Sequence, residues 1–364
     1  MTTSATTAQP ADASAASATA ASAPRKPTMA ITLGDPAGIG PEIVLKTMQS
    51  PEIFEICDPF VIGHRDSLEL AAKIQGVDAQ FHMISDPSEA RFELGTIDLL
   101  QTDVENDAEI EFGKVQKAAA LRAYSYLEKS IELGLAGRID AVSTAPINKA
   151  ALQEAEVPHI GHTEIYQALT DSKYALTMFN CHKLRVFFLT RHVSLRQACD
   201  QITRERVLQY LQDIDGELRA LGMENPSIGV AALNPHVGEG GMFGTEEIEH
   251  IGPGVEDAQA QGINAVGPQS ADAIFAFNLD GHHDAILSMY HDQGHIACKT
   301  YDFQNAVTIT LGLPFMRSSV DHGTAFDIAG KGIAQGESMI EATRVAAVYA
   351  QMQLDHRQEQ GAAA

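Results

Sequence analysis

The chain has 364 residues, with 25 Lys and Arg against 48 Asp and Glu and a formal net charge of −23. That charge argues against a nucleic-acid partner and against an anionic membrane surface, because both need a basic face to bind their phosphates. No run approaches the roughly 20 consecutive apolar residues of a membrane-spanning helix. With 45% hydrophobic residues, the chain is long enough for two domains with their own cores.

The first 28 residues differ in composition from the rest of the chain. Residues 1–28 are rich in Ala, Ser and Thr, and their only basic residues, Arg25 and Lys26, come at the end. We interpret them as a disordered leader, because a secretory signal begins with positive charge and continues with an apolar run. The alternative is a weak export or transit signal. Four widely spaced cysteines without a CxxC pair favour buried thiols in a reducing compartment, which predicts a cytoplasmic protein.

After the leader, short apolar runs alternate with helical patterns. Helices are predicted near 41–46, 114–136, 194–222, 244–262 and 337–355. Strands are predicted at 29–33, 60–63, 140–146, 184–190, 227–235, 284–291 and 306–312. Strands at this spacing, separated by helices, predict an α/β fold with a mostly parallel sheet.

Gly, Pro, His and Asn gather in the loops that follow the predicted strands. In open α/β sheets, ligands bind outside the carboxyl ends of the strands, so we expect several strand ends to converge on one cleft. The loop 34–41, GDPAGIGP, has glycines that permit a tight turn with N–H groups facing a ligand. It matches neither GxGxxG nor GxxxxGK[ST], so it is either a structural turn or a loop that lines the site.

Three histidines end or follow predicted strands in polar company: His192, His236 and His291. A single histidine in such a place is usually a capped or surface residue. Three histidines at successive strand ends favour a divalent metal site as much as three separate capped or surface residues. Neutral imidazoles of neighbouring strands can converge on one cation. Asp292 and Asn234 could then orient the rings.

The segment 291–295, HDQGH, mimics the HExxH pattern of zinc hydrolases with Asp in place of Glu. That pattern requires a helix on which both histidines share a face. Here the segment directly follows a β-like run and contains Gly294, which argues against a metalloprotease.

Candidate anion-binding residues lie further along the chain. Arg317 stands among serine and threonine residues, and Lys299 follows His291 by eight positions. A guanidinium flanked by hydroxyls, with an ammonium nearby, is suited to a phosphate monoester, although either residue alone would ordinarily be a surface charge. His162 and Thr163 add donors that could bind a hydroxyl, a carboxylate or the same phosphate.

From Met29 to about Val348 the chain resembles the 4-hydroxythreonine-4-phosphate dehydrogenase family (PdxA, of vitamin B6 biosynthesis). The matching blocks stand in the family's order and are GDPAGIGPEI, STAPINK, GHTE, LNPHVGEGGMFGTEE, GPQSAD, MYHDQGH and TLGLPFMRSSVDHGTAFDIAG. The resemblance implies an α/β/α fold of two subdomains, similar to isocitrate and isopropylmalate dehydrogenases. We assign residues 29–150 plus 313–357 to the first subdomain and residues 151–312 to the second.

The resemblance also implies the cofactors, the partners and the roles of individual residues. It implies a homodimer with its active sites at the subunit interface and one divalent metal ion (Zn, Mg or Co) held by His192, His236 and His291, the ligand set being completed across the dimer. It implies NAD or NADP near the segments 234–241 and 267–272, with Asn234, Gly238, Gly267 and Asp272 as contacts. It implies substrate contacts from His162, Thr163, Lys299, Thr308 and Arg317.

Two departures from the family pattern bear on the substrate. Thr308 stands where the family commonly has an Asn that contacts the substrate, and Ala145 stands where members of the pyridoxine pathway often have Gly. STAPINK and HDQGHI also resemble the branch acting on threonate or erythronate 4-phosphate. A further relative oxidises a dihydrodiol of terephthalate without needing a phosphate, and Arg317 distinguishes the chain from it.

The resulting hypothesis is a metal-dependent oxidation of the 3-hydroxyl of 4-phosphohydroxy-L-threonine, giving a β-keto acid that decarboxylates. The first alternative is a D-threonate or D-erythronate 4-phosphate dehydrogenase of sugar-acid catabolism. The second is a non-redox metal-binding or hydrolytic protein. Asp292 and a metal-bound water are the candidates for the general base.

Overall fold

The structure is a computed structural model that describes residues 25–104 and 108–363. Most of the predicted leader, residues 1–24, therefore lies outside the described residues. Its last part belongs to the folded protein, because the Arg25 guanidinium donates two hydrogen bonds of 2.6 and 2.8 Å to the Asp140 carboxylate. The first strand already begins at Thr28.

The described part of the chain contains one twelve-stranded sheet. In chain order its strands are β1 Thr28–Thr32, β2 Asp58–Ile62, β3 Gln80–Ile84, β4 Thr96–Leu100, β5 Ala141–Thr144, β6 Leu176–Cys181, β7 Leu184–Phe188, β8 Ile228–Ala231, β9 Ala265–Gln269, β10 Ala285–Ser288, β11 Ala306–Leu311 and β12 Met316–Val320. All seven predicted strands are present. The prediction missed β3, β4, β6, β9 and β12.

Helices pack on the sheet and connect its strands. They are α1 Gly40–Thr47, α2 Pro51–Ile56, α3 Arg65–Gln75, α4 Lys117–Leu135, α5 Lys149–Glu154, α6 His162–Leu169, α7 Leu195–Asp200, α8 Arg204–Ala220, α9 Gly252–Ala260, α10 Ala271–Leu279, α11 His291–Tyr301 and α12 Glu337–Ala363. None of these helices has the length and apolarity needed to span a membrane.

Two of the predicted helices are interrupted. The predicted helix 194–222 is two helices, because the hydroxyls of Ser194 and Thr203 each accept a backbone N–H and start a new helix. In the predicted helix 244–262, a π-helical turn over Glu247–Ile251 precedes α9.

The strand order is β3-β4-β2-β1-β5-β12-β11-β6-β7-β10-β8-β9. Eight of the eleven pairings are parallel, which confirms the predicted α/β fold with a mostly parallel sheet. The three antiparallel pairings join β12 to β11, β11 to β6 and β6 to β7 in the middle of the sheet. The sheet runs through both predicted subdomains, whose boundaries stay a prediction.

The central antiparallel strands reverse the direction of the sheet. Strands β1 to β5 and β12 run one way, whereas β7, β8, β9 and β10 run the other way. The carboxyl ends of the strands therefore form two groups instead of one. The carboxyl ends of β1 and β5 point to one side of the sheet along the strand direction, and the carboxyl ends of β7, β8 and β10 point to the opposite side.

The loop after β1 is a structural junction. The Asp35 N–H donates to the Pro146 carbonyl at 2.9 Å, and the Ile39 N–H donates to the Thr324 carbonyl at 3.0 Å. The loop thereby ties β1 to the segments that follow β5 and β12. Gly34 has a φ of +69°, and a Cβ added there would lie 2.5 Å from the Pro146 oxygen, so no other residue fits without displacement.

A buried carboxyl lies in this junction. Asp35 Oδ1 accepts the Ala37 N–H at 2.8 Å, whereas Oδ2 is buried without a hydrogen-bond partner. Burial raises the pKa of Asp35 to about 6. Between about pH 4 and pH 6 the native protein thus holds a proton that the unfolded chain has released, and stability falls as the pH rises through this window.

Replacing Asp35→Asn removes this pH-dependent cost. At pH 7.5 we expect the variant to gain up to about 3 kcal/mol in free energy of unfolding, because the amide keeps the bond to Ala37 without a charge. Most of the gain should disappear at pH 4, where the wild-type carboxyl is protonated. Urea unfolding of both proteins at the two pH values measures this difference. An identical difference at both values would contradict the assigned titration.

Candidate active site

A cleft of about 200 Å³ opens over the face of β6, β11 and β12, where the sheet reverses direction. Loops from both edges of the sheet reach over this face. Six of the predicted site residues line the cleft: His162, Thr163, His192, His291, Thr308 and Arg317. The loop 34–41 does not contribute to the lining, which supports its structural interpretation.

Arg317 lies on β12 at the floor of the cleft and is 1% exposed. Its Nη1 and Nη2 donate to the Thr310 and Thr144 hydroxyls, both at 2.9 Å, and its Nε is buried without a partner. Burial lowers the pKa of Arg317 to about 10, so the guanidinium is charged at neutral pH. Among the described residues it forms no ion pair, and a buried charge of this kind is costly unless a counter-ion binds.

His162 stands beside Arg317, at the first turn of α6. Its Nε2 is buried without a hydrogen-bond partner. Burial, together with the positive charges of Arg317 and Lys149, lowers the pKa of His162 well below its usual value. The ring is therefore neutral at physiological pH, with one nitrogen available to a ligand. Thr163, the next residue of the helix, also lines the cleft.

His192 and His291 lie together at the other end of the cleft, with ring centroids 5.9 Å apart. Both also line an adjoining cavity of about 290 Å³. Burial and the charges of Arg191 and Lys149 lower the pKa of His192, which favours the neutral form that metals require. His291 Nδ1 lies 2.7 Å from the Asp292 carboxylate, a contact that fixes the ring orientation.

The segment HDQGH begins a helix, α11, which corrects the sequence-based expectation of an extended segment. Gly294 lets this helix pack closely on β7, because an added Cβ would lie 2.7 Å from side-chain atoms of both Phe188 and Val186. His291 and His295 consequently stack, with centroids 3.9 Å apart and planes 10° apart. Burial and the neighbouring His291 lower the pKa of His295 to about 4, so this ring is uncharged near neutral pH.

His236 does not join this pair within one chain. Across residues 25–104 and 108–363, no three or more His, Cys, Asp or Glu side chains are arranged to hold a metal ion. His236 lies in a turn after β8 in which six consecutive residues, 236–241, have positive φ. Two imidazoles of the predicted metal site thus share the cleft, and the third ligand lies elsewhere.

The buried Glu247 carboxylate holds the start of this turn. It accepts the N–H groups of Leu233 and Asn234 at 2.8 and 2.7 Å, and the Asn234 amide at 2.9 Å. Gly238 is required because an added Cβ would lie 2.9 Å from the same carboxylate. The turn packs against α10, which carries Asp272 near its start. The predicted cofactor segments are therefore neighbours.

Gly267, another of the four predicted cofactor contacts, lies in β9 beside β8. Its φ is +158°, and an added Cβ would lie 2.6 Å from the Val230 carbonyl oxygen. Asp272 accepts the Ser270 hydroxyl at 2.6 Å. These two residues thus have evident structural roles, and their contact with a cofactor stays a prediction.

Lys299 lies beside the cleft, and its ammonium is 2.5 Å from the Asp321 carboxylate. Asp321 lines the cleft, and so does Thr308 on β11. The ion pair neutralises most of the charge that Lys299 could offer to a phosphate. Its role as a substrate contact stays a prediction.

The sequence-based reasoning missed two basic residues that line the cleft, Lys149 and Arg191. Lys149 is in the quoted STAPINK block, and Arg191 directly precedes His192, so a search for charges beside the motifs would have found both. Glu164 and Thr177 were also missed. Threonines in strands carry no such signal, because Thr is a common strand residue.

A charged guanidinium without a counter-ion, a neutral buried histidine and a pair of imidazoles share one cleft of this fold. The arrangement suits a small anionic ligand, as in an α/β enzyme that binds its substrate in a cleft. The family model described as "Pyridoxal phosphate biosynthetic protein PdxA" matches residues 55–346. The chain belongs to this family.

Similar proteins agree with this assignment over nearly the whole chain. A "Putative D-threonate 4-phosphate dehydrogenase" of Symbiobacterium thermophilum is 51% identical, covering 89% of this chain and 97% of the relative. One of the same name from Halalkalibacterium halodurans is 50% identical, covering 90% and 98%. A solved 4-hydroxythreonine-4-phosphate dehydrogenase of Klebsiella pneumoniae is 37% identical with a TM-score of 0.83, covering 89% and 99%. The chain is therefore a dehydrogenase of the PdxA type, and the hydrolytic alternative does not hold.

Proposed function

We propose that the protein oxidises the 3-hydroxyl of D-threonate 4-phosphate, or of its close stereoisomer D-erythronate 4-phosphate, with NAD or NADP and a divalent metal ion. The β-keto acid formed then loses CO2. The observation that carries this proposal is the buried Arg317, whose guanidinium donates to two threonine hydroxyls and lies over the Tyr166 ring but forms no ion pair with a carboxylate among the described residues. A phosphate would supply the missing counter-ion.

The phosphate is bound at the Arg317 end of the cleft. The guanidinium presents a planar set of donors that suits phosphate oxygens. Thr163 and Ser319 line the same cleft as Arg317 and add hydroxyl donors. His162, which is neutral, can donate from one ring nitrogen. This end holds the substrate away from the reacting carbon, so that binding energy is used for orientation.

The imidazoles of His192 and His291 suit a divalent ion, since both rings face the cleft and Asp292 orients one of them. His236 would complete the set from a second copy of the chain, which makes the active form a homodimer. Such an ion supplies a positive charge that lowers the pKa of a bound alcohol and stabilises the charge left by decarboxylation. Asp292 is 70% exposed and engaged with His291, so its assignment as general base stays a prediction.

The nicotinamide cofactor, which accepts the hydride, is assigned to the turn after β8 and the start of α10. Asn234, Gly238, Gly267 and Asp272 are its proposed contacts. The positive φ values over residues 236–241 fold this segment into a tight turn that packs against α10. We assign the cofactor's diphosphate to the backbone N–H groups of this turn, because backbone N–H groups in turns can bind anions.

The 2-hydroxyl of a threonate is favoured over the 2-amino group of a hydroxythreonine by the charges in the cleft. Three basic residues, Lys149, Arg191 and Arg317, line it against the carboxylates of Glu164 and Asp321, and Asp321 is engaged with Lys299. An ammonium group would meet mainly positive charge. The Thr308 hydroxyl can exchange hydrogen bonds with a substrate hydroxyl. The 50–51% identical relatives support the same choice, while the solved hydroxythreonine enzyme supports 4-phosphohydroxy-L-threonine as the second candidate.

Side-by-side turnover tests this proposal. The full-length protein is assayed with NAD or NADP on D-threonate 4-phosphate, D-erythronate 4-phosphate and 4-phosphohydroxy-L-threonine, following the absorbance of the reduced cofactor. We expect kcat/KM to be at least about tenfold higher for a threonate-type substrate, which corresponds to one hydrogen bond to a matched group. A preference for the amino acid would overturn the assignment of the 2-hydroxyl.

Metal removal is measured in the same assay. We expect dialysis against a chelator to abolish turnover, and Zn, Mg or Co to restore it, because the two histidines alone cannot stabilise an alkoxide as a divalent ion does. Full activity after verified metal removal would refute the metal site.

A further inference from the structure

Two arginines approach the cleft from opposite ends of a row of threonines. At one end, Arg317 donates to Thr144 on β5 and to Thr310 on β11. Thr310 is paired with Thr177 on the neighbouring strand β6. At the other end, the Arg191 guanidinium donates to the Thr177 hydroxyl. Neutral hydroxyls therefore orient both guanidinium groups.

Neither arginine is neutralised by this arrangement. Arg191, like Arg317, forms no ion pair with a carboxylate in the described residues. Lys149 also lines the cleft and adds a third positive charge. Lys299 differs from these residues because it forms an ion pair with Asp321. The cleft is thus positive at both ends.

We propose that Arg191 is a specificity-determining residue that binds the carboxylate of the substrate while Arg317 binds the phosphate. This inference rests on the proposed function, whose substrates carry a phosphate at C4 and a carboxylate at C1. Arg191 takes the carboxylate because it adjoins His192 and His291, where the hydroxyl-bearing carbons react. Its planar fork matches two carboxylate oxygens.

The test measures binding of two probes that lack reactive hydroxyls. 4-(Phosphonooxy)butanoate carries both anionic groups, and n-butyl phosphate carries only the phosphate. Inhibition constants of both probes are determined against the best substrate. In the wild type we expect the carboxylate to improve binding roughly 10- to 100-fold, the usual size of a charge-assisted contact. In Arg191→Gln this advantage should vanish, while binding of butyl phosphate stays within about threefold.

Two matched variants accompany this experiment. Arg196→Gln removes the same charge from the exposed face of α7, outside the cleft, and should keep the full advantage of the carboxylate. Arg191→Lys keeps the charge without the planar fork and should keep part of the advantage. Circular dichroism and thermal melting establish that each variant is folded.

The outcomes separate the inference from the proposed function. If Arg191→Gln binds both probes as the wild type does, or if it raises the KM of the nicotinamide cofactor instead, the carboxylate assignment is overturned and the proposed function stands. If neither probe competes with any substrate in the wild type, the phosphate site is wrong and both proposals fall.

Discussion

Replacing Arg317→Met is expected to lower kcat/KM on the phosphorylated substrate about a thousandfold while leaving the free energy of unfolding unchanged or slightly higher. Substitution of a buried active-site residue usually lowers both kcat/KM and the free energy of unfolding. Here they should separate, because the guanidinium is buried without a carboxylate and serves a ligand rather than the fold.

The expected size follows from the contacts that the guanidinium offers. Two charge-assisted hydrogen bonds to phosphate oxygens contribute about 3–6 kcal/mol together, and 1.4 kcal/mol corresponds to a factor of ten. Met fills much of the same volume, so the substitution leaves no large cavity. It also removes a buried charge, and replacing such a charge by an apolar side chain is often neutral or stabilising.

The measurements are kcat/KM on the preferred substrate and urea unfolding of the same preparations. Arg185→Met is the matched control. The Arg185 guanidinium donates to the Tyr349 hydroxyl at 2.6 Å and to the Asp284 carbonyl at 3.2 Å, away from the cleft. We expect this control to lose about 1–2 kcal/mol of stability and little activity. Wild-type turnover by Arg317→Met would remove the basis of the phosphate site.

Replacing Gly34→Ala is expected to lower the free energy of unfolding by about 3 kcal/mol. The positive φ of +69° costs about 1–2 kcal/mol for a residue with a Cβ, and the clash with the Pro146 oxygen at 2.5 Å adds a cost of similar size. The displaced segment leads directly into α5 and Lys149. Activity should therefore fall as well.

Gly76→Ala separates the two costs. Gly76 has the same φ of +69°, but an added Cβ would have no atom within 4 Å. We expect this variant to lose only about 1–2 kcal/mol, the cost of the backbone conformation alone. Urea unfolding of both variants measures the difference. Equal losses of unfolding free energy in the two variants would show that the junction after β1 accommodates the added Cβ without further destabilisation.

The strands and the fold class could be predicted because their apolar runs are periodic. The 227–235 and 284–291 runs each contain a strand, and these strands end four and three residues before the predicted runs end. The antiparallel centre could not be foreseen. β6 and β12 read as ordinary short runs, and pairing direction is decided by contacts distant in sequence.

The site was predicted where a rare residue type marks it. Histidines and Arg317 stand out in a strand-rich sequence, and four of the six predicted residues that line the cleft are of these types. The partners that hold them do not stand out. Thr144, Thr177 and Thr310 become a row of hydroxyl acceptors only through strand register, and Asp321 meets Lys299 across 22 residues of chain.

The place of β12 in the sheet has a consequence for biosynthesis. It is the last strand to be translated, yet it hydrogen-bonds between β5 and β11 in the middle of the sheet. Until it emerges from the ribosome, two strand edges remain unpaired in the nascent chain, and unpaired edges are templates for association with other chains. Translation that stalls shortly before Met316 would therefore leave an aggregation-prone intermediate, although more than four-fifths of the polypeptide had already been made.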